Sequence, residues 1–267
     1  MSLDDEPLVP KLTPEQEHKE QPLMAHLLEL RDRLLRAIIG VLVVALPMMV
    51  YAKELYGWLA KPLIEKMPAG ATMIATEVAS PFMTPMKFAA LLGFIVAIPW
   101  VLYQVWAFVA PGLYKSERRL VVPLLASSTL LFYAGVAFAY FLVLPTVFKF
   151  MVGIAPEGVS VMTDISKYLD FVLGMFLAFG FAFETPVALV LLVKTGFVTP
   201  AQLTQNREYV FVGAFVVGAI FTPPDILSQF MLAVPLYLLY ELGIIAARVM
   251  VPGSREVEAQ QRENAKS

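Results

Sequence analysis

The chain has 267 residues, 58% of them hydrophobic and 16% charged, with a net charge of −2 and a mean hydropathy of +0.71. A soluble domain is roughly 45 to 50% apolar and about 25% charged, so one globular interior cannot hide this much apolar surface, and the composition is that of a membrane protein. The absence of cysteine excludes disulfide frameworks, zinc ribbons, iron–sulfur ligation and thiolate nucleophiles. Both histidines, His18 and His26, precede the first long apolar run, so no membrane segment can supply a Ser–His dyad or an HExxH zinc site. No Lys/Arg run points to nucleic acid as a partner.

Residues 1–21 form a polar tail whose Asp4, Asp5, Glu6, Glu15, Glu17 and Glu20 reverse the basic start of a secretory signal peptide, so no cleavage is expected. Leu23, Leu27, Leu30 and Leu34 then follow helical spacing, which predicts an amphipathic helix along the interface that turns into the first span. Crossing a hydrocarbon core of about 30 Å takes roughly 20 apolar helical residues, because lipid offers the backbone no hydrogen bonds. Six segments qualify: Leu34 to Ala52, Phe82 to Phe108, Leu120 to Phe148, Tyr168 to Val193, Tyr209 to Phe221 and Ile226 to Ala247. The expected architecture is therefore an all-α integral membrane protein of six transmembrane helices. It forms one domain over residues 22–250, and a second polar tail follows at 251–267.

Between the first two spans, Lys53 to Ser80 carries Pro62, Pro68 and Gly70, with Pro81 just beyond, and no Gly/Ser tract, a pattern that suits a rigid cap. Prolines within spans, at Pro47, Pro99, Pro123, Pro145, Pro186 and Pro235, predict kinks. The fifth helix is short, about 20 Å at helical rise, and Thr222-Pro223-Pro224-Asp225 stops it, with Asp225 capping the sixth. Both are expected to fall short of the far face and to thin the bilayer beside them.

The N-terminal segment through Arg36, the Pro111 to Arg119 loop, the Lys194 to Glu208 loop and the C-terminal tail hold 14 of the 20 basic residues, including every arginine. The opposite side has six lysines, so the positive-inside bias puts both termini in the cytoplasm.

Polar groups within lipid are expensive and ask for a reason. Glu184, in Phe183-Glu184-Thr185-Pro186, is the foremost. It reads as a proton site, as a polar docking point for another helix, or as a carboxyl hydrogen-bonded within the bundle. Gln229 is either a partner contact or an amide joining spans. Glu29 and Glu117 lie outside the hydrocarbon, where an i,i+4 pair with Arg33 and a local pair with Lys115 or Arg118 account for them as isolated residues. Lys87 and Asp170 can snorkel, and Glu241 receives no role. No GxxxxGK[ST], GxSxG, aspartyl-protease Gly-Asp pair or metal-ligand cluster is present, so neither catalysis, a metal nor a cofactor is expected.

The order of segments resembles the TatC family. The matching stretches are His26-Leu27-Leu28-Glu29-Leu30-Arg31, Ala79-Ser80-Pro81-Phe82, Tyr103-Gln104-Val105-Trp106-Ala107-Phe108, Pro111-Gly112-Leu113-Tyr114 and Glu117-Arg118-Arg119. Phe183-Glu184-Thr185-Pro186, Gly213-Ala214-Phe215 and Thr222-Pro223-Pro224-Asp225 continue the likeness. It implies a receptor of the twin-arginine translocase, exporting folded proteins across the bacterial inner membrane with the proton-motive force. It also implies that Glu29 and Glu117 face the twin-arginine signal peptide, with Phe108, Leu113, Lys115 and Arg119 in the same cytoplasmic site. Glu184, Thr222 and Gln229 are implied to dock the single spans of TatA or TatB, in a larger complex of several copies. Arg31, Arg33, Arg118 and Arg119 are expected to hold the empty carboxylates until signal arginines compete. The rival reading, a secondary transporter or channel with Glu184 as its mid-membrane site, lacks the repeats such proteins show.

Overall fold

The computed structural model describes residues 14–65, 72–109, 121–154, 162–221 and 226–251. Helix α1 (Pro14–Val50) is followed by α2 (Ala52–Ile64), α3 (Ser80–Val96), α4 (Ile98–Val109) and α5 (Val121–Phe138). A π-turn at Ala139–Val143 leads into α6 (Leu144–Gly153). Then come α7 (Ile165–Ala182), α8 (Thr185–Lys194), α9 (Pro200–Gln205), α10 (Arg207–Phe221) and α11 (Ile226–Met250).

Among the described residues four stretches are long and apolar enough to cross a bilayer: His26–Val50, Val122–Gly153, Ile165–Lys194 and Gln229–Met250. The pair α3 and α4, bent by 52°, makes a fifth. Helix α10, with 15 residues, reaches only about 22 Å, so the fifth predicted span is short as expected. The sixth is not. Helix α11 runs unbroken for 25 residues, because Pro235 is accommodated inside it and the helix continues beyond Ala247 to Met250. The turn expected between an interfacial helix and the first span is also absent: α1 is one helix of 37 residues. Pro99, Pro145 and Pro186 each sit in the first turn of a new helix, where the missing N–H costs nothing, and these are the positions at which spans break.

Helix α1 packs on α3 and α4, α5 on α7, and α11 on α8 and α10. Glycine permits the closest of these approaches. A Cβ at Gly93 would lie 2.5 Å from the Ala45 backbone, and one at Gly40 would collide with the Trp100 ring. Two apolar clusters result. One gathers Leu59, Phe148, Tyr168 and Leu169 with Phe132 and Phe179, and the other gathers Trp106, Val190, Val193, Leu203 and Ala247. The first runs up to the end of the bundle that carries α2, called here the cap face; the second marks the opposite end, the tail face.

The cap is strapped to the bundle by Asp164, the N-cap of α7. Its Oδ1 accepts from the amides of Ser166 and Lys167 at 2.8 and 3.1 Å, and its Oδ2 accepts from the amide and hydroxyl of Thr76 at 2.9 and 2.7 Å. Ile74 pairs with this segment in a single parallel bridge. The Tyr56 hydroxyl reaches the Ile165 carbonyl at 3.3 Å, and Tyr168 donates to the Leu59 carbonyl at 2.8 Å. Burial, aided by the nearby Asp164 charge, pushes the Tyr56 phenol up to about 12. The expected rigid cap is thus a helix tied down by hydrogen bonds.

The bond from the Thr76 hydroxyl, followed by those from the backbone amides, holds the Asp164 carboxyl down to about 2 from an ordinary value of 3.8. A depressed carboxyl stabilises the fold above its unfolded value and loses that effect as pH falls through its folded value. Hydrogen exchange at the amides of Thr76, Ser166 and Lys167 should therefore stay slow down to about pH 4 and quicken only between there and about pH 2. Asp164→Ala should show the fast exchange at every pH.

Candidate functional site

At the tail face Glu29 stands on the same side of α1 as His26 and Arg33, three and four residues away. Arg33 turns back along the helix and donates through Nε and Nη2, at 2.9 and 2.6 Å, to the same oxygen, Oε1 of Glu29. The other carboxylate oxygen has no hydrogen-bond partner among the described residues. The two side chains remain 35% and 21% exposed, which keeps the pair in the range of weak interfacial ion pairs. Arg31, expected to share in holding the carboxylate, stands two residues from Glu29 on another face of the helix, and pairs instead with its exposed neighbour Asp32 at 2.8 Å. His26 stacks on Phe108 with ring centroids 4.3 Å apart and planes inclined by 22°. The end of α4 is thereby brought against the His26 side of α1, one turn before Glu29. Leu113, Lys115, Glu117 and Arg119 lie outside the described residues, as do Thr222 and the Asp225 cap.

Glu184 sits where the long span breaks, two thirds of the way from Ile165 to Lys194. Its backbone N–H bonds the Phe181 carbonyl at 3.0 Å and its carbonyl accepts from Ala188, so both main-chain groups of Glu184 itself are paired at the break. Helix α5 reaches this point because Gly135 lets it lie on the Phe179 carbonyl. Of three successive hydroxyl residues on α5, Ser127 and Thr129 bond back to their own helix at Leu124 and Leu125, and Ser128, 1% exposed, donates to the Glu184 carboxylate. The Oε1 atom of Glu184 is buried and has no hydrogen-bond partner among the described residues. The carboxyl is thus half satisfied: the internal hydrogen bond exists, and one acceptor is left over inside the bundle.

Gln229 is half-buried on α11, where α10 comes close because Gly218 has no side chain; a Cβ there would stand 3.3 Å from the Gln229 carbonyl oxygen. Gln229 and Glu184 do not form one cluster. Helices α8 and α11 run side by side toward the tail cluster, with Gly243 against Pro186 and Leu189, and Gln229 lies fourteen residues before Gly243. At helical rise the two polar groups are separated in depth by about 15 Å.

Glu241, left without a role in the sequence, accepts from Arg207 Nη2 at 2.6 Å and from the Tyr237 hydroxyl. Arg248 donates to Thr204 Oγ1 at 2.9 Å, and Tyr240 donates to the Leu203 carbonyl at 2.7 Å. Together they clip α9 and the start of α10 to the tail end of α11. The partners are 34 to 44 residues apart in sequence, and no local spacing announces them. Lys87 and Asp170, expected to snorkel, meet at 3.8 Å on the exposed surface. Among the described residues no group of His, Cys, Asp and Glu could hold a metal ion.

A lipid-spanning bundle of broken helices, with a guanidinium-filled carboxylate at one face and a half-satisfied carboxyl inside, defines a polytopic membrane protein that works by binding other groups. The family described as Sec-independent protein translocase protein (TatC) matches residues 25–235. The Sec-independent protein translocase protein TatC of Escherichia coli (strain K12) is 55% identical over 89% of this chain and 92% of its own length. The same-named protein of Aquifex aeolicus (strain VF5) is 39% identical over 89% of this chain and 99% of its own. A crystal structure of the twin arginine translocase receptor TatC superposes with a TM-score of 0.74 at 40% identity, covering 84% of this chain and 98% of that one. A second, in the detergent DDM, gives 0.76 over 83% and 99%. The chain belongs to the TatC family; it is a core subunit of the twin-arginine translocase and not an enzyme.

Replacing Ser128 by Ala removes the side-chain donor to Glu184 found among the described residues, and a polar bond within a membrane bundle contributes about 0.6 to 2 kcal/mol. Thermal unfolding in detergent should shift down accordingly for Ser128→Ala. Ser127→Ala, which loses only a bond within its own helix, should change little. Equal effects of the two would mean that the Ser128 to Glu184 bond adds nothing.

Proposed function

We propose that this chain is the receptor for twin-arginine signal peptides of folded cargo and the docking platform for the single spans of TatA and TatB. In this reading residues 22–250 form a single six-helix domain in the bacterial inner membrane. The tail face, and with it both termini, lies in the cytoplasm, several copies assemble in a larger complex, and export draws on the proton-motive force. Glu29 and Glu117 receive the paired arginines, with Phe108, Leu113, Lys115 and Arg119 around them. Glu184, Thr222 and Gln229 engage the incoming spans.

The observation that carries the receptor reading is that Glu29 already holds a guanidinium, that of Arg33, one turn along α1 from the His26 ring that stacks on Phe108. A carboxylate at this position is therefore placed to accept arginine, and the magnitudes favour exchange. An exposed i,i+4 pair contributes only about 0.3 to 0.5 kcal/mol, whereas charge-assisted hydrogen bonds from an incoming arginine contribute about 1.5 to 3 kcal/mol. Arg33 keeps the empty site compensated and yields readily. For the docking reading, Glu184 is itself only half-buried, and its carboxyl keeps one oxygen, Oε1, just inside the bundle without a hydrogen-bond partner among the described residues, at a depth where lipid offers none. A single incoming helix that engages both Glu184 and Gln229 has to present polar groups about ten residues apart, given the separation in depth.

Topology is tested with the cysteine-free chain as background. A single cysteine at Lys115 or Gln205 should react with a membrane-impermeant thiol reagent only in inverted vesicles, and one at Glu157 only in spheroplasts. The reverse pattern would overturn the cytoplasmic placement of Glu29.

Receptor function is tested by crosslinking a twin-arginine precursor. Glu29→Lys and Glu117→Lys should each weaken binding about 10- to 100-fold, as should changing both signal arginines to lysine. Arg33→Gln should strengthen it, by about twofold. Unchanged binding in both charge reversals would sink the receptor assignment, while weaker binding in Arg33→Gln would show that Arg33 orients Glu29 instead of competing for it.

A further inference from the structure

On the cap face α2, α6 and α7 enclose a slot of about 290 Å³. Its walls are Leu63, Phe148, Met151, Val152, Tyr168 and Phe171. The one hydroxyl among them, on Tyr168, is already spent on the Leu59 carbonyl. At roughly 30 Å³ per water the slot has room for several, yet it offers them almost no donors or acceptors, so it suits hydrocarbon.

Its edge is polar. Thr163 and Lys167 lie at the start of α7, the level at which the strap leaves the bundle. Lys167 is exposed, and Phe171 one turn further along the same face carries its stem over the slot. Two carboxylates stand nearby on the same element, and both are engaged: Asp164 accepts from Thr76 and two amides, and Asp170 lies 3.8 Å from Lys87. Lys61, on α2, is within 4.0 Å of Glu65. Lys167, by contrast, has no carboxylate partner among the described residues.

We propose that this slot holds one acyl chain of an anionic phospholipid, with Lys167 binding the phosphate. The apolar wall takes the chain, and the lysine at its mouth sits at headgroup depth, where a single cation near an anionic lipid is worth about a fivefold preference. The lipid wedges α2 against α6 and α7, next to the Asp164 strap. On the orientation proposed above it belongs to the outer leaflet. The site itself does not depend on that orientation.

The test uses the full chain in phosphatidylcholine nanodiscs containing a phosphatidylglycerol with a photoactivatable acyl chain. Adducts are expected on the peptides carrying Phe148 to Val152 and Thr163 to Phe171. Unlabelled phosphatidylglycerol should displace them about five times better than phosphatidylcholine, and free inorganic phosphate should not displace them. Val152→Trp, which fills the slot, should abolish these adducts while those on the lipid-facing α1 persist. Lys167→Glu, at an exposed position, should keep the fold and erase the headgroup preference. Slot adducts that survive Val152→Trp, equal competition by the two lipids in the parent protein, or displacement by phosphate alone would each overturn the proposal. If Val152→Trp fails to fold, the competition series and Lys167→Glu decide it.

Discussion

Everything in this molecule follows from the cost of leaving a peptide N–H or C=O unpaired where no water can reach it. That cost makes the spans helical, and it also dictates how they end. At the 52° bend between α3 and α4 the Ala97 amide bonds back to the Gly93 carbonyl, while the Ala97 carbonyl serves the amides of both Trp100 and Val101. At the second break Glu184 bonds Phe181 and is in turn bonded by Ala188. In each case a proline follows within two residues, placed where its missing donor is not needed. At both bends the residue before the new helix keeps its own main-chain groups paired, and the Glu184 carboxyl emerges at one of these closures.

The two ends of the bundle use different chemistry. At the cap face the interactions are short, neutral or singly charged bonds that converge on main chain: Asp164 on amides, and Tyr56, Tyr140 and Tyr168 on carbonyls of α7 and α2. These fix geometry. At the tail face a bond from Tyr240 to the Leu203 carbonyl is joined by two close ion pairs between side chains, Glu29 with Arg33 and Glu241 with Arg207, both at 2.6 Å. The ion pairs toward the cap, Lys61 with Glu65 and Lys87 with Asp170, are exposed and looser at 4.0 and 3.8 Å. Strapping at one end and close side-chain ion pairs at the other suit the scaffold proposed above, which holds its shape while ligands come and go.

Length and hydropathy made the helical bundle and the short α10 legible, because these depend on runs of one residue class, and the rigid cap was legible from its prolines and the lack of a Gly/Ser tract. Proline positions foretold the breaks at Pro99, Pro145 and Pro186 but not the survival of the helix through Pro47 and Pro235, since tolerance depends on what neighbouring groups re-satisfy. The continuity of α1 was missed for a related reason: an amphipathic stretch and a span read as two elements when the join carries no breaker. The i,i+4 pairing of Glu29 with Arg33 could be read from spacing. The stacking of His26 on Phe108, the bond from Ser128 to Glu184 and the clip from Arg207 to Glu241 could not, as each joins residues more than thirty positions apart.

The unbroken length of α1 has a mechanical meaning. Trp100, seated against Gly40 and bonded to the Arg36 carbonyl at 3.0 Å, and Ala45, pressed onto Gly93, fix the helix at two points about 7 Å apart along its axis. From the first of these, Glu29 projects a further 16 Å or so as the arm of a cantilever, with the stack of His26 on Phe108 as a light strut beyond it. The aim of that carboxylate is therefore set as much by two glycines within the bilayer as by its own neighbours. A side chain added at Gly40 or Gly93 would swing it aside without touching it.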